Sequence, residues 1–379
     1  MVTRRAIAGL LLILSVSLFS VFGVDKTRAT DEGSWKTKAQ MPQQSEGYQV
    51  GVVNGKIYVI GSSTNYLYSP ELNGWFKKTP MPTPRSDFAL AVYQNKIYTI
   101  GGSLGWTQET GSIYSSVIEI YDTGTDTWET KDPMPTIRVF LGRGANVIQG
   151  KIHLIVNDTH DIYDIATDSW TTGKAMPFPY APNLVSSTVL DDKIYILGTN
   201  VTQIYDPKSD SWTLGAASPI RVSTPGVCAT TGLMAPKRIY VFGGTTSFLV
   251  YTNVTQVYDP ETDNWTLGAP MLTARAGPAC AVVDDIIYVI GGSSGMYSRE
   301  YKNEQYTPIG YIPEFPSWII IPIFLVVTLS AIIIRKKFSN YPPPTARNIP
   351  MKALSSILIF FVSSDMYFAF NEMIVPSFT

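Results

Sequence analysis

The stretch Arg238–Arg275, RIYVFGGTTSFLVYTNVTQVYDPETDNWTLGAPMLTAR, contains every device that the rest of the chain repeats. A β-branched and aromatic run (Ile239-Tyr240-Val241-Phe242) ends in Gly243-Gly244, and a second strand-like run ends in Tyr258-Asp259-Pro260. A polar turn then leads to Trp265, and Met271 and Arg275 close the unit. The first run recurs as KIYVIG (56–61), KIYTIG (96–101), KIHLIV (151–156), KIYILG (193–198) and IIYVIG (286–291). Trp follows Tyr at a distance of seven in the pairs Tyr68/Trp75, Tyr121/Trp128, Tyr163/Trp170, Tyr205/Trp212 and Tyr258/Trp265. From Trp35 onward, the tryptophans of the repeat (Trp35, Trp75, Trp128, Trp170, Trp212 and Trp265, with Trp106 outside the pattern) are 40, 53, 42, 42 and 53 residues apart. A period of that size marks a repeat architecture, in which each unit buries its apolar face only against its neighbours.

The connecting segments repeat as well: MPTPR (81–85), MPTIR (134–138), MPFPY (176–180), SPIR (218–221) and MLTAR (271–275). Strand, Gly-Gly, strand ending in Tyr-Asp, short turn, Trp, Met-Pro and Arg together resemble the kelch repeat over residues 34–308. The resemblance implies an all-β fold, a six-bladed β-propeller with four strands per blade. Hairpin residues before the second strand (Asn54-Gly55, Gln94-Asn95, Gln149-Gly150, Asp191-Asp192, Asp284-Asp285) suit tight turns. The continuous apolar character of that strand fits burial on both faces. Gly-Gly allows positive φ and close backbone approach. Blade 6 offers no tryptophan of its own, and Ser34-Trp35 supplies the missing strand from the N-terminus, closing the ring and removing open sheet edges.

Outside the repeats the chain reads as membrane-targeted. Met1-Val2-Thr3-Arg4-Arg5 and the apolar run to Val24 read as a secretory signal or an uncleaved signal-anchor (1–24). After a linker (309–317), residues 318–334 carry no charge and precede Arg335-Lys336-Lys337, the pattern of a single transmembrane helix with a stop-transfer cluster. Pro313-Glu314-Phe315-Pro316 resembles the Pro-Glu-Phe anchors of archaeal surface proteins. Residues 335–379 form a cytoplasmic tail with no assigned role, and both readings of the N-terminus put the propeller on the extracellular side of the cell membrane.

Composition narrows the function. Lys+Arg number 29 against 30 Asp+Glu, so no basic surface argues for nucleic acid. Two histidines and two cysteines leave little for metal chemistry, and no cofactor is expected. A copper oxidase of kelch type would need histidine ligands near the axis, which this chain does not offer. A sugar mutarotase type could run on Arg and carboxylates, and Asp87, Glu109 and Glu300 stand near the expected face. No nucleophile–base constellation or phosphate loop is present.

Loop length carries the binding signal. From the end of the second strand to the next Tyr, blades 1, 3 and 4 use seven residues, blade 2 uses 20, and blades 5 and 6 use 15. Alternating strand direction puts these long loops on one face with the connecting segments. Trp106, Tyr114, Phe248, Tyr251 and Tyr297 are the candidate ligand contacts on the loops, beside Gln108, Met296 and Arg299. Arg85, Arg138, Arg221 and Arg275 form a row nearer the axis, either contacting ligand or holding loops together. The expected partner is an extracellular protein or polysaccharide; a purely structural surface-layer role stays open. Four sequons (Asn157, Asn200, Asn253, Asn264) are glycosylation candidates, and glycans on Asn157 and Asn200 would cover the short-loop half of that face. Cys228 and Cys280 fall at similar places in neighbouring blades, too far apart to bridge, and are expected as small buried residues. His153 replaces a strand tyrosine and is expected to be structural; His160 is expected as a solvated turn residue.

Overall fold

The structure, a computed structural model, describes residues 33–43, 47–109, 111–138, 145–179, 185–198, 200–296 and 298–313. The signal segment, the transmembrane stretch, the tail and Tyr297 lie outside the described residues. Among the described residues the strands form six four-stranded antiparallel sheets and three two-stranded ribbons. In chain order, the second and third strands of blades 1 to 5 are Lys56–Ile60 and Asn65–Ser69, Lys96–Ile100 and Ile118–Asp122, Lys151–Val156 and Thr159–Asp164, Lys193–Leu197 and Thr202–Asp206, and Ile239–Phe242 and Thr255–Asp259. Blade 6 uses Ala279–Val283, Ile286–Ile290 and Asn303–Thr307, and its outer strand is Ser34–Lys38 from the other end of the chain.

The ring closes in register. Trp35 stands opposite Tyr306, as Trp128 stands opposite Tyr121 and Trp265 opposite Tyr258. Gly33 occupies the place that Asp126 or Asp263 holds two residues before the tryptophan in other blades. Its φ is +79°, and a Cβ there would meet the Tyr306 ring as it stands, so glycine lets the substitute strand dock without displacing that ring.

The apolar interior consists of six clusters, each shared by two adjacent blades. A strand is too thin to enclose a core by itself, so every blade is stabilised from both sides. At four of the six interfaces the second-strand tyrosine of one blade meets the third-strand tyrosine of the next. Tyr58–Tyr121, Tyr195–Tyr258, Tyr240–Tyr306 and Tyr288–Tyr68 have ring centroids 5.9, 6.2, 5.7 and 5.8 Å apart. Such edge and tilted arrangements set the negative ring face against a positive edge.

The interface of blades 3 and 4 departs from this scheme. His153 takes the tyrosine position and faces Tyr205 at 5.9 Å, and His160 packs edge-on to the same ring at 4.6 Å. Both histidines are buried, which corrects the expectation that His160 is solvated. The cause is strand register: His160 is the second residue of the third strand, Thr159–Asp164, and points inward, where other blades place Asn65, Ile118 or Thr202. Its Nδ1 lies 3.2 Å from the Lys174 carbonyl, an acceptor only, so that nitrogen carries hydrogen. His160 Nε2 therefore accepts from His153 Nδ1 at 3.0 Å, and His153 Nε2 has no partner among the described residues.

Burial, then the neighbouring His160 and Lys151, push His153 down to about 4, and burial also lowers His160. Asp210 and Asp161 face the pair and oppose these shifts. A depressed histidine contributes stability that is present above its unfolded value near 6.5 and is lost as pH falls toward 4. For His153 alone the loss is on the order of 3 kcal/mol. Urea midpoints measured from pH 7 to pH 4 should fall steeply below pH 6.5. The double variant His153→Tyr/His160→Thr, which copies the Tyr195/Thr202 arrangement of blade 4, should flatten that fall; an equal slope in both proteins would place the acid lability elsewhere.

Candidate functional site

The three long loops are β-ribbons: Ser103–Thr107 with Gly111–Tyr114 in blade 2, Thr245–Ser247 with Val250–Tyr251 in blade 5, and Ser293–Gly295 with Ser298–Arg299 in blade 6. Each is rooted in the same way. Ser103, Thr245 and Ser293 exchange two backbone hydrogen bonds with Ser86, Ser223 and Ala276 of the connecting segment, at 2.7 to 2.9 Å. On the other side the next connecting segment donates to the returning chain, Met134 N–H to Ser116 O and Met271 N–H to Asn253 O, both at 2.8 Å. The long loops and the connecting segments therefore share one face, and the ribbons stand on fixed roots.

Their tips are apolar and open to solvent. Trp106 is 68% exposed, Phe248 84% and Met296 55%. Leu104, Ile113, Leu249 and Val250 add exposed aliphatic surface around them. Tyr114 and Tyr251 occupy equivalent half-buried positions at the ribbon bases, opposite Ser103 and Thr245, and Arg299 holds that position in blade 6.

The arginine row is corrected by the structure. Arg85 is 1% exposed, and all its donors are engaged. Nε donates to Gly101 O at 2.7 Å, Nη2 to Thr99 O and Oγ1 at 3.1 and 2.9 Å, and Nη1 to Thr83 O and the Glu119 carboxylate. Arg275 is 0% exposed, with Nη1 2.8 Å from Glu304 Oε1 and Nη2 donating to Val289 O. Neither reaches a ligand; both tie a ribbon root to the third strand of the blade. Arg138 grips Asp161 with two parallel bonds of 2.6 and 3.0 Å and is only partly exposed.

Arg221 is not in the row. The bridges align Ser86, Ser223 and Ala276, which puts Val222 rather than Arg221 in the slot of Arg85 and Arg275. Val222 is buried there, and Arg221, one residue earlier, is exposed. Text alignment of SPIR with MPTPR misled by one position, because the proline that anchors the motif has shifted relative to the arginine.

The slot shows a coupling that reading the motif alone does not reveal. The facing third-strand residue, two before the tyrosine, is Glu119, Asp161 or Glu304 wherever the slot holds arginine. Opposite Val222 it is Gln256, whose amide bonds Ile220 N–H and C=O at 2.9 Å each, and Gln203 makes the same pair of bonds to Phe178 in blade 4. A buried carboxylate is tolerated only beside its cation, so charge and amide alternate together.

The sequons divide similarly. Asn157, Asn200 and Asn264 are exposed, the first two in the short turns of blades 3 and 4. Asn253 is corrected as a glycosylation candidate: its Nδ2 donates to Met271 O at 3.1 Å, and Thr255 is wholly buried. Among the described residues no group of three or more His, Cys, Asp or Glu could hold a metal ion.

Removing one member of a buried pair leaves an uncompensated charge, a loss of about 3–5 kcal/mol. Arg85→Val and Glu119→Gln should each lower the urea midpoint sharply. The double variant, which installs the Val222/Gln256 chemistry of blade 5, should recover most of the loss. Additive losses would show that the two side chains act independently.

Comparison with known proteins agrees with the geometry. The kelch motif is matched at residues 84–135, 235–272 and 274–322. Kelch-like protein 15 of Danio rerio is 38% identical over 87 residues, covering 21% of this chain and 14% of that protein, so the chain spans a small part of that relative's length. The solved structure of YjhT superposes with a TM-score of 0.59 at 14% identity, covering 71% of this chain and 96% of the other, a likeness of fold. With six sheets closed by the N-terminal strand and the kelch motif matched in three places, the chain is a six-bladed kelch β-propeller.

Proposed function

We propose that this kelch propeller is a cell-surface interaction module that grips an extracellular macromolecule with the ribbons of blades 2, 5 and 6. The observation that carries the reading is the set of exposed apolar tips, Trp106, Phe248 and Met296, held on roots that are hydrogen bonded on both sides. Large apolar residues presented on rigid supports lose little conformational entropy on binding and make good anchors. Aliphatic Leu104, Ile113, Leu249 and Val250 beside the aromatics favour a protein surface over a polysaccharide, which would call for polar groups interleaved with the rings. The ribbons flank the short loop of blade 1, so the contact would run over blades 5, 6, 1 and 2, away from Asn157 and Asn200. The placement outside the membrane rests on the sequence of residues 1–24 and 318–337.

Photo-reactive side chains at positions 106 and 248 of the full-length protein, displayed on cells, should cross-link to one discrete macromolecule. The same side chain at Asp191, on the opposite edge of the ring, should not. Cross-linking from position 191 with none from the ribbons would remove the proposed site. A glycan array run in parallel separates the partner classes: glycan binding lost in Trp106→Ala and Phe248→Ala would replace the protein partner with a polysaccharide. Protease added to intact cells should cut the propeller, and its protection would overturn the placement.

A further inference from the structure

Cys228 lies on the first strand of blade 5, Gly226–Ala229, and Cys280 on the first strand of blade 6, Ala279–Val283. Their sequence surroundings look alike, but the register differs by one residue. Cys228 stands opposite Tyr240, whereas Cys280 stands opposite Val289, the equivalent of Val241. Side chains alternate between faces along a strand, so a one-residue offset turns the two cysteines to opposite faces of their own sheets. In neighbouring blades, opposite faces look at each other. Cys228 and Cys280 accordingly belong to one apolar cluster, the one between blades 5 and 6, and the expectation that they are too far apart is overturned.

Two further features bring the thiols together. The strands Gly226–Ala229 and Ala279–Val283 run side by side around the axis. Residue 226 is a glycine against which Cys280 packs directly: a Cβ at that position would occupy the space of the Cys280 sulfur. The two thiols face each other across this interface closely enough to interact electrostatically, and both are free.

We propose that Cys228 and Cys280 are an oxidation site, closing to an intramolecular disulfide that staples blade 5 to blade 6, the blade that closes the ring. The co-reactant is a small aliphatic disulfide such as oxidised glutathione. Cys280, half-buried where Cys228 is buried, loses its proton to solvent and attacks one sulfur of the oxidant, releasing one reduced thiol. Cys228 then loses its proton and attacks the Cys280 sulfur, forming the protein disulfide and releasing the second reduced thiol. Two protein thiols are oxidised and one small disulfide is reduced to two thiols, so atoms and electrons balance. Burial pushes the Cys228 thiol up, which suppresses its reaction with outside reagents and leaves Cys280 as the first point of attack. The bond would enclose most of blade 5 and restrict the unfolded chain.

The test uses the full-length protein, reduced and then incubated folded with oxidised glutathione. After unfolding and alkylation, labelled cysteines should fall from two to none, and digestion should yield the Cys228 and Cys280 peptides joined within one chain. Thermal unfolding should shift upward in the oxidised protein and return with reductant, while Cys228→Ser should show no such shift. Two labelled thiols after oxidation, a stable glutathione adduct on Cys280 with Cys228 still labelled, or cross-links only between chains would each overturn the proposal.

Discussion

The propeller depends on a clamp that one blade places on a residue just past the end of its neighbour's outer strand. The third-strand tyrosine donates to an Asp or Asn five residues on, at 2.5 to 2.8 Å in Tyr68/Asn73, Tyr121/Asp126, Tyr163/Asp168, Tyr205/Asp210 and Tyr258/Asp263. That acceptor takes a backbone N–H from the preceding blade, Ala39, Thr79, Lys174 or Ala216. The outer-strand tryptophan donates its indole N–H to the carbonyl of the same residue. One residue thus has both backbone polar groups satisfied by the next blade at an edge that would otherwise be open. Asp210 is held below the usual carboxylate range by the Lys174 N–H first and the Tyr205 hydroxyl second, so the clamp works through an ionised acceptor.

This clamp explains what the sequence repeats and why. The spacing of seven between Tyr and Trp is the length of a hairpin that brings the two opposite each other, as in Tyr121↔Trp128 and Tyr205↔Trp212. The acidic or amide residue lies two before the tryptophan with φ near +50°, a conformation in which Asp and Asn are enriched. Blade 6 has no such residue on its own strand, and Gly33 with Trp35 reconstitutes the position from the other terminus. Blade number and the four-stranded sheets were therefore legible as text, because each is fixed by local hairpins, and closure was legible because the Trp strand missing from blade 6 stands at residues 34–38.

The misread positions share a different origin. Arg221, His160 and the cysteine pair all turned on a register of one residue, and a period-two strand converts such a shift into a change of face. Arg221 looked like a member of the arginine row because its neighbours spell the motif, yet the backbone bridge at Ser223 counts from Val222. A signal was present all the same: Gln256 rather than an acid stands two before Tyr258, and a neutral partner forecasts a neutral slot. The fate of Arg85 and Arg275 could have been read in the same way from Glu119 and Glu304, since a buried cation needs its counter-charge. Exposure of the ribbon tips, in contrast, was legible from loop length alone.

What these corrections do to function is to separate support from contact. With Arg85 and Arg275 withdrawn into the scaffold, the face keeps its polar anchoring underneath and presents mostly apolar groups on the ribbons above. The scaffold resists deformation because each ribbon root is bonded to two connecting segments, and those segments belong to different blades. Blades 1, 3 and 4 keep the scaffold without the ribbon, so the asymmetry of the face comes from insertions after the second strand and not from any change in the ring. A repeat fold with a fixed circumference can vary its surface at little cost to its core, because loop closure grows only slowly with length. The chain places its variation where the clamp does not reach.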